Sequence, residues 1–507
     1  MTLPTQPAAQ SGWLTGGRTA WFNRRSSVHY APMDSCGIDR SESIGPWSGR
    51  VRKGGAVHLI SEGEETVFGN DEMASELHLL DLHGSLGSPV IESMNFLNEV
   101  SHRFPDAISF AAGRPYEGFF DLDDVHRYIR TYCDHAAARF GDDPALVRRH
   151  VLQYGRTKGI IHELIAENLS VDEGIEADPE SVVVTAGCQE ALFLTLRALR
   201  RTPRDALLIV LPAYVGATGA AELADMPLLP VKSSADGIDL TDLAEAVGRA
   251  KAAGMRPRAC YIVADFANPS GISMSRATRE RLLELAVEHD FLVLEDNPYG
   301  VFSAEDAAQP PTLKALDPDR RVVYLGSFAK TGIPGARVGF VVADQRVESA
   351  TGPGLFADEL AKIKSMLTVN TSPIAQAVIG GKLLENGGSL RSANTRERRF
   401  YQQNLRHLLH GLAKHFPPGS TPEVTWNTPT GGFFVVLDVP FPVDDALLEH
   451  CARHHRVLWT PMHHFFGDGQ PRHQIRLSFS YLTPDEITVG LERLAGFVFE
   501  LCATARG

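Results

Sequence analysis

The chain has 507 residues, with 49 lysines and arginines against 62 aspartates and glutamates, a formal net charge of −13. That balance, unbroken by any Lys/Arg run, excludes nucleic acid as the main partner. No apolar run approaches the roughly 18 residues of a membrane span, and no basic-then-apolar segment opens the chain, so no membrane is expected and the protein reads as cytoplasmic. The six cysteines, at 36, 133, 188, 260, 451 and 502, form no Cys-x-x-Cys pair and are too sparse for a disulfide framework, which fits reduced thiols. A chain of this length buries a large core and suggests two or three domains.

Residues 1–75 are rich in Gly, Ser and short charged patches and hold no sustained period, so they read as a disordered N-terminal extension. Trp13, Trp21 and Trp47 lie in it, as part of a binding segment or as sequence without structural selection, and Met73 offers an alternative start. Residues 76–125 are expected to pack with a small domain. There Ile91, Met94, Leu97 and Val100 recur at helical spacing, and Ile108-Ser-Phe is a short strand that breaks into the turn of Gly113, Arg114 and Pro115. Arg114 is either a contact for a substrate anion or a solvated turn residue.

Residues 126–370 alternate strands with helices. Gln153-Tyr154-Gly155 precedes a helix-like stretch from Ile160 to Leu169, and Tyr154 by itself is a tyrosine beside a turn glycine. Ser181 to Thr185 is a β-branched strand, followed by a glycine turn and a helix with Leu192, Leu196 and Leu199 on one face. The first turn of a helix has unpaired N–H groups and the positive end of the dipole, so Gly187, Cys188 and Gln189 form a phosphate cradle without a charged side chain. Cys188 is either oxidation-sensitive or a small buried thiol that contributes its backbone N–H. Ala206 to Leu211 leads into the loop of Tyr214. Ala259 to Ala264 leads into Asn268-Pro-Ser-Gly, ordinary turn chemistry, and a helix starts after Ser275. Phe291 to Glu295 ends at Asp296, where the carboxyl end of a parallel strand points a carboxylate into the ligand crevice, and Tyr299 follows three residues later. Arg321 to Leu325 leads to Lys330, flanked by Ser327 and Arg337, a hydroxyl and a guanidinium suited to a phosphate. Such alternation means a mostly parallel sheet covered by helices. Residues 371–507 have longer, charged helices and then strands around Val424, Gly432 to Asp438, Arg456 and Gln474 to Ser480, a smaller α+β domain. Arg476 sits in an otherwise apolar strand and needs a partner when buried. The His463-His464 pair lacks a third ligand at suitable spacing, so no metal is expected.

The turn at Asn268, the pair Asp296 and Tyr299, and Lys330, in that order, resemble the fold type I pyridoxal-phosphate aminotransferases of class I/II, in the branch of the aminoadipate and kynurenine aminotransferases. The resemblance runs from about Leu77 to the C-terminus. It implies an α/β fold type I large domain with a smaller α+β domain, and pyridoxal 5′-phosphate held as a Schiff base by Lys330. Asp296 would then hold the pyridine nitrogen, Asn268 and Tyr299 the phenolic oxygen, and Tyr214 the ring face. Gly187, Cys188, Gln189, Ser327 and Arg337 would hold the phosphate, with Tyr154 reaching the phosphate of the other subunit of a homodimer. Gly113, Asn268 and Arg476 would bind the substrate, Arg476 through its carboxylate, in a ping-pong exchange between an amino acid and a 2-oxo acid. Ala329 departs from the relatives that have a serine there, which removes one phosphate contact. A decarboxylase, racemase or carbon–sulfur lyase of the same fold would use the same residues. A ligand-sensing regulator would need an N-terminal helix-turn-helix, of which residues 1–75 show no sign.

Glu76-Leu-His-Leu-Leu-Asp-Leu-His, Met94-Asn-Phe-Leu-Asn-Glu-Val100, Gly113-Arg-Pro-Tyr-Glu-Gly-Phe-Phe120 and Trp459-Thr-Pro-Met462 further resemble the aminotransferases that make arylglycines such as dihydroxyphenylglycine. That implies an aromatic donor and an arylglyoxylate acceptor. Tyr116, Phe119, Phe120, Phe465 and Phe466 would wall the pocket, with His463 and His464 on ring hydroxyls. An acidic donor would instead need Arg114.

Overall fold

Seven segments rich in valine, isoleucine and leucine line up as one sheet. They are β1 (Val182–Thr185), β2 (Asp205–Leu211), β3 (Leu228–Lys232), β4 (Arg256–Ile262), β5 (Leu292–Asp296), β6 (Val322–Ser327) and β7 (Gly339–Val342), in the spatial order β1-β7-β6-β5-β4-β2-β3. The computed structural model describes residues 77–304, 309–350, 352–420 and 422–504, and the readings made for residues 1–75 lie outside them. Pairing is parallel from β6 through β5, β4 and β2 to β3, and β7 alone runs against both of its neighbours. The sheet is therefore mostly parallel, as expected from its continuous apolar runs, and both of its faces are covered. Edge strand β3, with Pro230 and exposed Lys232, carries no such run, which is why its sequence gives it no signal.

Six helices bear on the site: α1 (Pro89–Arg103), α2 (Cys188–Leu199), α3 (Arg276–His289), α4 (Thr395–His415), α5 (Asp445–His454) and α6 (Pro484–Thr504). Ser88 caps α1 by accepting from Val90 N, with Pro89 at the first helical position. Ser275 caps α3 by accepting from Thr278 N. On one face of the sheet Leu282, Leu285 and Ala286 of α3 bury against Leu208, Cys260 and Val293. On the other, Leu192, Leu194 and Leu196 of α2 join Val183, Leu207 and Leu294 in a core that continues into the C-terminal part of the chain. That part holds β8 (Thr425–Trp426), β9 (Phe434–Val443), β10 (Thr460–Pro461) and β11 (Arg472–Ser478), antiparallel in the order β8-β9-β11-β10. Leu405, Leu408 and Leu412 of α4 and Leu491, Leu494 and Val498 of α6 cover it. Among the described residues no helix is long and apolar enough to cross a membrane.

Register decides what meets at the carboxyl ends of the central strands. Asp296 pairs with Leu325 two residues before Ser327, and Gly339 faces both Ser327 and Thr185. The turn after β1, the end of β5 and the end of β6 thus share one edge of the sheet, where open α/β sheets bind ligands.

Candidate active site

The cleft at that edge is a cavity of about 290 Å³. Lys330 enters it from a single helical turn, Phe328–Thr331, started by Ser327, whose hydroxyl accepts from Ala329 N at 3.2 Å. Its Nζ donates to the Gly113 carbonyl at 2.6 Å. Burial, and then Arg476, Arg337 and Arg114, lower this amine from 10.5 to about 8. An amine so placed exchanges a proton near neutral pH, which an ordinary lysine does not.

Asp296 is buried at the end of β5. One carboxylate oxygen accepts from the Tyr261 hydroxyl at 2.7 Å and the other from the Cys188 thiol at 3.4 Å. Burial raises the carboxyl above its ordinary value and the two donors pull it back. Tyr261 had no role in the sequence reading. Its signal was a tyrosine inside the small, aliphatic run of β4: it pairs with Leu294, and Asp296, two residues on, shares that face. The Cys188 thiol, expected to be either oxidation-sensitive or a small buried group contributing its backbone N–H, is pushed well above its usual range by burial and then by Asp296, so it donates a proton rather than acting as a thiolate.

Gly187 caps α2 with a φ of +80°, a conformation that glycine adopts freely. A Cβ there would collide with the Arg337 guanidinium. Arg337 makes no ion pair among the described residues, and its guanidinium faces the start of α2. Gln189 is turned away to donate to the Gly216 carbonyl at 2.6 Å.

Arg476, in β11, is buried. It donates to Asn268 Oδ1 at 2.6 Å, to the Ala111 carbonyl at 2.7 Å and to Thr460 Oγ1 at 3.0 Å, and it lies over the Phe434 ring at 4.4 Å. Its Nε has no partner among the described residues, and burial lowers its pKa from 12.5 to about 10. Tyr214, Tyr299 and Arg114 line the same cavity, with Met94, Leu97, Val263, Phe434 and Phe465. A Cβ on Gly113 would stand 2.7 Å from the Phe434 ring, so the turn passes close to this wall only as glycine.

Of the residues expected to act on the cofactor or on the substrate carboxylate, all but one line this cavity or, like Gly187, adjoin a residue that does. Tyr154 is the exception: it is 80% exposed and lies outside the cavity of its own chain. The expected aromatic wall is smaller than the sequence suggested. Tyr116 and Phe119 pack against Phe400 in a separate cluster, Phe120 is exposed, and Phe466 lies under Arg472, so Phe465 alone of the five lines the cavity. His463 and His464 do not reach it either. They turn to Asp445, at 3.5 and 2.8 Å, and His464 Nδ1 bonds Ser93 Oγ at 2.8 Å.

The cavity gathers Lys330, Arg337, Arg476 and Arg114 around one carboxylate, Asp296. This excess of positive charge fits a ligand with an anion at each end, a phosphate near Arg337 and Gly187 and a carboxylate near Arg476. An amine of lowered pKa and a buried carboxylate between them suit a cofactor with a carbonyl and a ring nitrogen. The residues present therefore fit pyridoxal phosphate.

A family model described as aminotransferase class I and II matches residues 129–494. The chain is 56% identical over 426 residues to an (S)-3,5-dihydroxyphenylglycine transaminase of Amycolatopsis orientalis, covering 84% of this chain and 95% of that protein. It is 29% identical over 397 residues to an aromatic-amino-acid aminotransferase of Thermococcus litoralis, covering 78% and 88%. Among solved structures, a kynurenine aminotransferase of Pyrococcus horikoshii, in complex with PMP, superposes with a TM-score of 0.68 at 28% identity, over 82% of this chain and 95% of that one.

Proposed function

We propose that this chain, which belongs to the class I and II aminotransferases, draws its amino group from an aromatic amino acid and serves an arylglycine and its arylglyoxylate as the other pair. It is a pyridoxal 5′-phosphate-dependent transaminase, and the decarboxylase, racemase and lyase alternatives give way to that activity. The observation that carries the substrate is the likeness to the dihydroxyphenylglycine transaminase over 84% of the chain, joined to the wall of Met94, Leu97, Val263, Phe434 and Phe465 beside Arg476. Apolar and aromatic surface favours an aryl side chain by area burial and by stacking, the latter about 0.5–1.5 kcal/mol per ring pair.

In this reading Arg337, Ser327 and the backbone N–H groups of Gly187, Cys188 and Gln189 hold the phosphate, and Tyr214 covers the ring. Asp296, steadied by Tyr261 and Cys188, keeps the ring nitrogen protonated. Asn268 and Tyr299 bond the phenolic oxygen. When bound, the cofactor supplies an electron sink for charge developing at the substrate α-carbon. Arg476 would grip the α-carboxylate beside the Gly113 turn, and the Lys330 amine would accept the proton of the substrate α-carbon. A homodimer belongs to the same reading, supported by the exposure of Tyr154 outside its own cavity and by the exposed leucines Leu77, Leu79 and Leu80 nearby in sequence to α1. The free thiols of Cys133, Cys188, Cys260, Cys451 and Cys502 support residence in the cytoplasm.

One feature favours a second reading: Arg114 stands at the mouth without an ion-pair partner among the described residues and would suit an acidic side chain. Measuring kcat/KM over a panel of donors separates the two. Tyrosine and arylglycines should outperform glutamate, aspartate and aminoadipate. A clear preference for an acidic donor rejects the aryl pocket and makes Arg114 its clamp.

A further inference from the structure

Behind Phe465, outside the cavity, the chain assembles a group that the aminotransferase chemistry does not use. The short turn Met462–Phe465 presents two successive histidines to the first residue of α5, Asp445. His464 Nε2 lies 2.8 Å and His463 Nε2 3.5 Å from the same Asp445 oxygen. One ligand atom from each of the three lies within 4.8 Å of the others. We propose that Asp445, His463 and His464 form a binding site for a divalent cation of the zinc type.

Donor chemistry, spacing and burial support it. The donor set is two imidazoles and one carboxylate, the mixture that borderline cations such as zinc prefer, and three protein ligands with one open position is a common zinc arrangement. Ligand bonds of about 2.1 Å at tetrahedral angles hold donor atoms about 3.4 Å apart, within reach of the present spacing by small side-chain rotations. His464 is also oriented from outside the trio, since its Nδ1 bonds Ser93 Oγ of α1 at 2.8 Å and Phe96 stacks on its ring at 5.1 Å. A second partner on the far nitrogen is the arrangement that fixes a metal-ligating imidazole. Finally, His463 is buried, its Nδ1 has no partner among the described residues, and its ring packs 4.1 Å from that of His464, which keeps both imidazoles beside Asp445. The Asp445 side chain is 44% exposed, which leaves a route for the ion and room for a water as fourth ligand.

An ion there would join three parts of the chain, since α1 supplies Ser93, α5 supplies Asp445, and the turn carries Phe465, which packs 5.0 Å from the Arg476 guanidinium. Its expected effect is to fix that wall of the cavity from behind while taking no part in the proton transfers at Lys330. Cation binding there is independent of which amino acid is the donor.

The test is zinc chloride titrated calorimetrically into the cofactor-loaded protein after dialysis against a chelator, with the thermal midpoint read in parallel. Wild type should bind one Zn2+ per chain at this site and gain in midpoint. Asp445→Asn, a change at a half-exposed position, should lose both effects while keeping its circular dichroism and its cofactor absorbance. Ser93→Ala leaves all three ligands in place and should weaken binding roughly 10–100-fold. Uptake by Asp445→Asn equal to that of wild type would put the ion elsewhere, for example at His450 and His455, and overturn the assignment. No uptake by wild type would leave the trio as an ion pair only and overturn it equally.

Discussion

Replacing Lys330 with methionine should make the cofactor-free protein more stable at neutral pH. The amine is lowered from 10.5 to about 8 by burial and by Arg476, Arg337 and Arg114. That gap corresponds to roughly 3 kcal/mol against the folded state while the group is charged. Below about pH 8 folded and unfolded chains both hold the proton, so the whole penalty applies. Between about 8 and 10.5 the unfolded chain holds more protons than the folded one, so wild-type stability rises with pH, and above 10.5 the penalty has gone. Methionine fills nearly the same volume without charge and forfeits the bond from Nζ to the Gly113 carbonyl, a loss of about 1 kcal/mol. The expected gain is therefore about 2 kcal/mol near pH 7, close to zero near pH 9.5, and a small loss beyond. Urea unfolding of cofactor-stripped wild type and variant, followed by tryptophan fluorescence with Trp459 buried in the core, reads the difference at each pH. The same variant should not turn over. A variant less stable than wild type near pH 7, or a difference that stays constant with pH, would mean that Lys330 is solvated and would refute the cationic cluster as a source of its reactivity.

Asp296→Asn should bind cofactor but lose several orders of magnitude in kcat, because an amide cannot hold the ring nitrogen protonated. Single-turnover absorbance measures this, and a near-wild-type rate rejects the role. Tyr261→Phe removes a 2.7 Å bond to that carboxylate. A bond to a charged group contributes about 1.5–3 kcal/mol, so kcat should fall roughly 10–100-fold with KM little changed, and an unaltered kcat would make Tyr261 a packing residue. Gly187→Ala sets a methyl against the Arg337 guanidinium at a φ of +80°. The backbone strain alone is about 1–2 kcal/mol, so cofactor affinity by equilibrium dialysis should drop at least tenfold. Unchanged affinity would remove this turn from the phosphate site.

The parts of the site that local chemistry specifies were legible in the sequence. A carboxylate ending an apolar strand, a glycine before a helix and a lysine after a strand each announce where the chain leaves the sheet, and the order of Asn268, Asp296 and Lys330 identified the family whose fold the seven-stranded sheet adopts. What failed was inference across distance along the chain. Tyr116 and Phe119 stand within six residues of Gly113, and nearness in sequence suggested a shared pocket. Phe400 and Tyr401, almost three hundred residues away, capture them instead. His463 and His464 looked like a pair without a third member because Asp445 belongs to a different helix and only the fold of the small sheet brings it alongside. Tyr261 was hidden for the opposite reason, since its strand was read correctly but its hydroxyl acts on the neighbouring strand.

Strand register converts these scattered residues into one electrostatic arrangement. Lys330, Arg337 and Arg476 lie on three different elements, and in water their mutual repulsion would keep them apart. Folding brings them around Asp296 because hydrophobic burial along β1, β5, β6 and β11 fixes the ends of those strands wherever the core requires. Burial lowers Arg476 to about 10, and burial followed by Arg476, Arg337 and Arg114 lowers Lys330 to about 8. In the proposed reading an anionic phosphate and an anionic carboxylate would relieve that repulsion, taking opposite ends of the cavity with Lys330 between them. The positive field that burdens Lys330 in the cofactor-free protein is thus the same one that would orient the ligands, and replacing Lys330 should stabilise that form of the fold while loosening what it holds.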